Sequence, residues 1–233
     1  MALLVPGAVV SVLSGKIGGT VFARNRGGAY ARSYAIPTRV TSDHAQQIKA
    51  AFAAASQAYA NLTTAQIAAW DQYGQENPVS NRIGQLITLK GQSWFVGCNA
   101  RLIVAGETLI SVPPILAAPV IAVADNPVVD VLGTTATIDV AAHTADASIR
   151  VIVYGARSVS AGKRYMENLY TTVYLSAAGA SGTTLSFGSE LEAKLGTIQE
   201  GVTYHFKVVM LDIRTGLISA PQWLSTVAVD TTP

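Results

Sequence analysis

Residues 135–140 read Thr-Ala-Thr-Ile-Asp-Val, and at this point the chain changes its rhythm. Ala136, Ile138 and Val140 point one way and the intervening polar residues the other. A period of two suits a half-buried strand and not a helix. Similar stretches follow at Ile149–Tyr154, Leu169–Leu175, Thr183–Phe187, Thr203–Leu211 and Leu224–Val229. Turn residues separate them at Gly162, Ala178-Gly179, Glu200-Gly201 and Arg214-Thr215-Gly216. Six or seven short strands in about a hundred residues predict a small β-sandwich. The chain has one cysteine, Cys98, so no internal disulfide can pin that sandwich.

Upstream, residues 111–127 carry Pro113, Pro114, Pro119 and Pro127. Proline density of this kind predicts an extended linker, placed at 111–119, between an N-terminal domain (1–110) and the β-sandwich (120–233). Before it the period is helical. Ile48, Ala51, Phe52, Ala55, Tyr59 and Leu62 recur at helix spacing and predict one apolar stripe from about residue 43, where Asp43 and Gln46 resemble a capping box. Thr63 with Gln66 is a Thr-x-x-Gln capping box for a second helix, expected to end at Gly74. A third helix is expected from Leu89 to Ala105, with Trp94, Phe95, Cys98 and Leu102 facing inward and Gly106 as its stop.

The first forty residues differ from both parts. Val9–Leu13 and Thr20–Arg24 read as strands, with Ser14-Gly15 and Gly18-Gly19 as turns around Lys16-Ile17. Asn25-Arg26-Gly27-Gly28 supplies hairpin turn chemistry, and Ala29–Tyr34 returns with Tyr30, Arg32 and Tyr34 on one face. Little apolar bulk lies here, and an isolated hairpin is marginal in water, so this arm (9–36) should need a sheet edge or a docking surface.

Charge sharpens that expectation. The chain has 233 residues and a net charge of +2, and only 13% of its residues are charged. So few solvating groups argue for partners that cover surface. Residues 1–112 hold nine Lys/Arg against four Asp/Glu; residues 113–233 hold seven against ten. Lys16, Arg24, Arg26, Arg32 and Arg39 all precede the first acid, Asp43. The arm is therefore the candidate site: Lys16, Arg24, Asn25, Arg26, Tyr30, Arg32, Tyr34 and Arg39. It can serve as a subunit interface, touch nucleic acid through phosphates and base stacking, or remain a solvated face. Lys163, Arg164 and Tyr165 form a second candidate contact loop.

Enzyme chemistry finds little support. Ser14-Gly15-Lys16-Ile17-Gly18-Gly19-Thr20 places Ile17 where a P-loop needs Ser or Thr. His44, His143 and His205 are scattered, and no two carboxylates share an element at a working spacing. His143 with Asp146 and Ser148 is a loop coincidence. Trp70, Trp94 and Phe95 read as core, and Cys98 as a small buried hydrophobe. No catalytic residue, cofactor or metal is expected. The apolar first thirteen residues lack a positive leader and contain Pro6-Gly7, so they predict neither a signal peptide nor a span.

Two resemblances rest on these residues. Gly201-Val202-Thr203-Tyr204-His205-Phe206-Lys207-Val208, with Asp212 and Ser219-Ala220-Pro221, is similar to a fibronectin type III module over roughly 120–231. That resemblance implies the fold and says little of function. Over 14–106 the chain resembles a family of small structural proteins of tailed bacteriophages and prophages. The matching residues are Ser14–Gly19, Val21, Arg24–Arg32, Leu62-Thr63-Thr64-Ala65-Gln66, Ala69-Trp70, Gly91-Gln92-Ser93-Trp94-Phe95 and Asn99. Arg39-Val40-Thr41-Ser42 stands where the family carries Pro-Arg-Thr. The expected function is a head-associated accessory or decoration protein of a virion, assembled in the host cytoplasm. Its partners would be other virion proteins and its own copies, with nucleic acid as a lesser partner and no membrane. A tail or neck component is an alternative, and so is a DNA-packaging protein. An adhesion or carbohydrate-binding module, with Tyr165, Tyr170 and Trp223 near one loop end, is a further one. The predicted class is α+β: a hairpin-plus-helices domain followed by an all-β immunoglobulin/fibronectin-like sandwich.

Overall fold

A computed structural model describes residues 2–4, 13–25, 28–36, 43–81, 83–120, 124–131, 134–140, 147–158, 169–179 and 183–230. The chain is α+β and divides into two compact units, Met1–Val104 with Thr108–Pro113, and Ala105–Glu107 with Pro114–Pro233.

The first unit opens with four strands: β1 (Ala2–Leu4), β2 (Gly15–Ile17), β3 (Thr20–Asn25) and β4 (Gly28–Ser33). They form one antiparallel sheet in the order β1-β4-β3-β2. Lys16-Ile17, expected between the turns Ser14-Gly15 and Gly18-Gly19, lies in strand β2 together with Gly15; Gly18 at φ 56° lets the chain reverse in two residues and pair Ile17 with Thr20. Residues 9–12 of the expected first strand lie outside the described residues, and Leu13 is not in a strand.

Three helices follow, α1 (Asp43–Ala60), α2 (Thr64–Glu76) and α3 (Gly91–Val104), with a small hairpin of β5 (Val79–Ser80) and β6 (Leu86–Ile87) before α3. The Thr63 box closes as its sequence requires: Gln66 N–H donates to Thr63 Oγ1, and Thr63 N–H donates to Gln66 Oε1 at 2.9 Å. Gly74 does not end α2. It is buried inside the helix, where a Cβ would stand 2.4 Å from the Leu89 carbonyl oxygen, and Asn77 caps the helix by donating to the Tyr73 carbonyl. Gly91 plays the same part from the other side. Its added Cβ would meet the Trp70 backbone at 2.4 Å, and its N–H donates to Asp71 Oδ1 at 3.0 Å. Two glycines thus let α2 and the start of α3 approach backbone to backbone.

The apolar stripe of α1 is not buried as one face. Ala51 and Ala55 are buried against α3, while Ile48 (47% exposed) and Phe52 (59%) face outward. A single packed helix covers a narrower sector than the stripe spans, and the small residues take the contact. Phe95, Cys98 and Leu102 of α3 are buried; Trp94 is half-buried. Trp70 is the hub, edge-on to Phe95 at 5.4 Å and to Tyr73 at 5.9 Å, and its indole N–H donates to the Ser111 carbonyl at 2.9 Å. Buried Asn99 donates to the carbonyls of Phe95 and Ile110 and accepts from Ile110 N–H at 2.8 Å, clamping the segment after α3 to the helix. Burial pushes the Cys98 thiol up to about 11, which suppresses its thiolate at neutral pH.

The second unit is an immunoglobulin-like sandwich. Its strands are β7 (Ala124–Asp130), β8 (Thr135–Val140), β9 (Ile149–Arg157), β10 (Thr171–Leu175), β11 (Thr183–Ser186), β12 (Thr203–Asp212) and β13 (Gln222–Val227), with helix α4 (Gly188–Leu195) between β11 and β12. Three strands in the order β11-β8-β7 form one sheet, and four in the order β10-β9-β12-β13 the other. Val129, Ala136 and Ile138 from the first share one core with Val151, Val153, Phe206, Val208 and Met210 from the second. Tyr204 is fully buried at the start of β12, and its hydroxyl accepts from Gln199 N–H at 3.4 Å, the corner bond of Greek-key sandwiches.

Two elements differ from expectation. β7 starts at Ala124, in the stretch whose prolines pointed to an extended chain; Pro127 sits in an edge strand at a register shift, beside Asn126 at φ 46°. A proline costs a strand little at an edge bulge, where no ladder donor is lost. α4 occupies what read as a simple connection. Leu191 is fully buried beneath it, with Glu190 in its first turn and Lys194 in its last.

Candidate interface on the N-terminal sheet

Pairing register assigns the two faces of the first sheet. Lys16 opposes Val21, Val21 opposes Arg32, and Ala23 opposes Tyr30, so Lys16, Tyr30 and Arg32 share a face. Arg24 opposes Ala29 and shares the other face with Ile17 and Phe22. The cations expected to act together are thus divided between two sides. Tyr34 follows β4, donates its N–H to the Gly19 carbonyl at 2.7 Å, and turns its ring toward Lys16, whose Nζ lies 3.7 Å from the ring centre. An exposed cation–π contact of this kind contributes about 0.5–1 kcal/mol. Asn25 closes the hairpin opposite Gly28. Arg26, Arg39, Lys163, Arg164 and Tyr165 lie outside the described residues.

No described side chain of β2, β3 or β4 is fully buried. Among the described residues the strands of this sheet pair with one another, and the side chains of β2, β3 and β4 are half-buried or exposed. Among the described residues no carboxylate forms an ion pair with Lys16, Arg24 or Arg32. Ile17 is 70% exposed, and Tyr34 and Ile36 are exposed as well. Ile17, Ile36, Ile48 and Phe52 went unmarked as surface residues in the sequence. Period alone does not say whether the second layer an apolar residue calls for is present.

β1 pairs with Ala29–Ala31 of β4 and β2 with Thr20–Phe22 of β3, so part of each hairpin edge is taken within the chain. Among the described residues, the rest of those edges and the two faces of the sheet are what it offers a neighbour.

Elsewhere in the first unit, a shallow depression is bordered by Asp71, Gln75, Thr88 and Lys90, but the Asp71 carboxylate is engaged by Gly91 N–H. Among the described residues no three His, Cys, Asp or Glu side chains gather as a metal site. No described helix is long and apolar enough to cross a membrane.

No family model and no curated protein matches the chain. Among solved structures, a β-sandwich protein redesigned by computer is similar at 16% identity and a TM-score of 0.30, over 51% of this chain and 96% of that one. A myokine structure is similar at 10% identity and the same TM-score of 0.30, over 48% of this chain and 97% of the other.

Proposed function

We propose that the chain is a non-enzymatic structural subunit of a bacteriophage particle, a head-associated accessory protein held by its N-terminal sheet and displaying its sandwich. The observation that carries this reading is the shallow burial of that sheet. A sheet is stable when at least one face is buried against a second layer. Here Lys16, Arg24, Arg32 and the exposed Ile17 lie on strands whose described side chains are at most half-buried within the chain. A neighbouring virion protein or another copy would supply a covering layer, with Lys16, Arg24 and Arg32 donating charged hydrogen bonds to its carboxylates or carbonyls. The resemblance of residues 14–106 to phage structural proteins supports the same assignment. Repetition over many copies would turn modest contacts into a durable attachment.

The test is replacement of Arg24, Arg26 and Arg32 by serine together, followed by protein quantification in purified particles. Charged hydrogen bonds contribute about 1.5–3 kcal/mol each, so losing them should lower incorporation more than about tenfold. The helices and the sandwich should melt as in the parent chain. Normal incorporation of the triple variant would contradict the proposal.

A further inference from the structure

The second unit carries a separate arrangement on the outer face of its four-stranded sheet. Lys207 of β12 lies directly between Tyr154 of β9 and Trp223 of β13 in the pairing register. Its Nζ is 5.4 Å from the centre of each ring. Tyr170, just ahead of β10, sets its ring 5.3 Å from that of Trp223 at an interplanar angle of 61°. Trp223 is 53% exposed, although Trp70 in the first unit is wholly buried. Among the described residues no carboxylate forms an ion pair with Lys207.

We infer that Tyr154, Lys207 and Trp223, braced by Tyr170, form a binding site for an acidic saccharide, one whose sugar ring bears a carboxylate. The indole offers a flat, electron-rich face, and the C–H-lined face of a pyranose ring is its complement. The ammonium beside it is positioned by two rings, so a carboxylate on the same sugar meets a donor already in place, at small cost in side-chain entropy. A neutral sugar would leave that charge unmatched. An acidic peptide lacks the flat ring. A single-stranded nucleic acid also stacks on aromatic residues, but its phosphate chain is followed by a row of cations, and among the described residues this cluster has one, Lys207. The inference does not depend on the role of the N-terminal sheet.

Oligogalacturonate, dextran oligosaccharide of equal length and oligo-deoxythymidine are the probes, titrated against the full chain by calorimetry and by acrylamide quenching of tryptophan fluorescence. Trp223 is the most exposed of the three indoles, so a ligand seated there shields most of the quenchable signal. Oligogalacturonate is expected to bind and shield it. Trp223→Ala and Lys207→Gln should each weaken binding about tenfold or more, whereas the joint Arg24→Ser and Arg32→Ser variant should bind as the parent does. Trp223 sits half out of the surface on an edge strand, so Trp223→Ala should fold normally; Lys207→Gln keeps the aliphatic stem if it does not. Absence of oligogalacturonate binding, equal affinity for dextran, unchanged affinity in both variants, or preference for oligo-deoxythymidine would each overturn the inference.

Discussion

Trp70→Ala is expected to remove most of the stability of the helical unit. The indole is fully buried and packs edge-on against Phe95 and Tyr73. Truncating a buried aromatic of this size costs about 3–5 kcal/mol in lost contacts and cavity. The change also removes the hydrogen bond from the indole N–H to the Ser111 carbonyl at 2.9 Å, for roughly another 0.5–1.5 kcal/mol. Small domains hold only about 5–15 kcal/mol in total. Urea unfolding followed by helical circular dichroism should show the loss, with the sandwich transition in place. Trp70→Phe should cost less, because the ring contacts survive in part. A midpoint unchanged in Trp70→Ala would mean that Trp70 is not the hub of this packing.

The second large effect is expected at Gly188. This residue opens α4 immediately after β11, and an added Cβ would stand 1.7 Å from the Thr134 carbonyl oxygen and 3.0 Å from Ala136 N. Both neighbours are backbone. The first belongs to the β7–β8 turn, where Thr134 has φ 48°, and the second to β8, whose Ala136 carbonyl accepts Phe187 N–H at 2.9 Å. A flexible side chain could swing away; this ladder cannot. Gly188→Ala should therefore cost more than about 4 kcal/mol, in the range kept for severe backbone conflict. Thermal unfolding of the sandwich should reveal it, with Ser189→Ala, one exposed residue further on, as the neutral comparison. A Gly188→Ala sandwich as stable as its parent would show that α4 is not pinned to the β7–β8 turn.

These two positions also mark what the sequence could and could not say. Trp70 was readable as core because its helix has a self-contained signal, a Thr63–Gln66 box and a clear apolar period. The sandwich was readable because alternation such as that of residues 135–140 needs no knowledge of the partner strand. Gly188, Gly74 and Gly91 were opaque for the opposite reason. Their absent side chains make room for backbone that is distant in sequence, and a lone glycine reads as a stop or as a weak helix position. β7 was hidden by Pro127, since proline argues against a strand unless the strand is known to lie at an edge. α4 was hidden by its brevity: only Leu191 and Leu195 stand at helical spacing, and no side-chain cap announces Gly188–Leu195.

The candidate site was legible in composition and illegible in geometry. The cluster of Lys16, Arg24 and Arg32 ahead of the first acid is evident from the chain alone. That Lys16 and Arg32 share a face while Arg24 takes the other depends on register, which follows from β2 being a strand. The tyrosines divide in the same way. Tyr34 reads as a continuation of its strand, yet its use in the fold is to hold Lys16. On the sandwich, Tyr170 and Trp223 looked like loop-end aromatics. Only the order β10-β9-β12-β13 brings Lys207 between Tyr154 and Trp223.

Hydrogen exchange read by mass spectrometry, on the dilute lone chain and on the assembled particle, tests the central claim most directly. In the lone chain, amides of residues 15–33 should exchange within seconds while those of β12 and α3 stay protected, because strands whose described side chains are at most half-buried open readily. In the particle the same amides should be protected by orders of magnitude more. Full protection of residues 15–33 in the isolated, dilute protein would contradict the account, since the sheet would then need no neighbour to hold it.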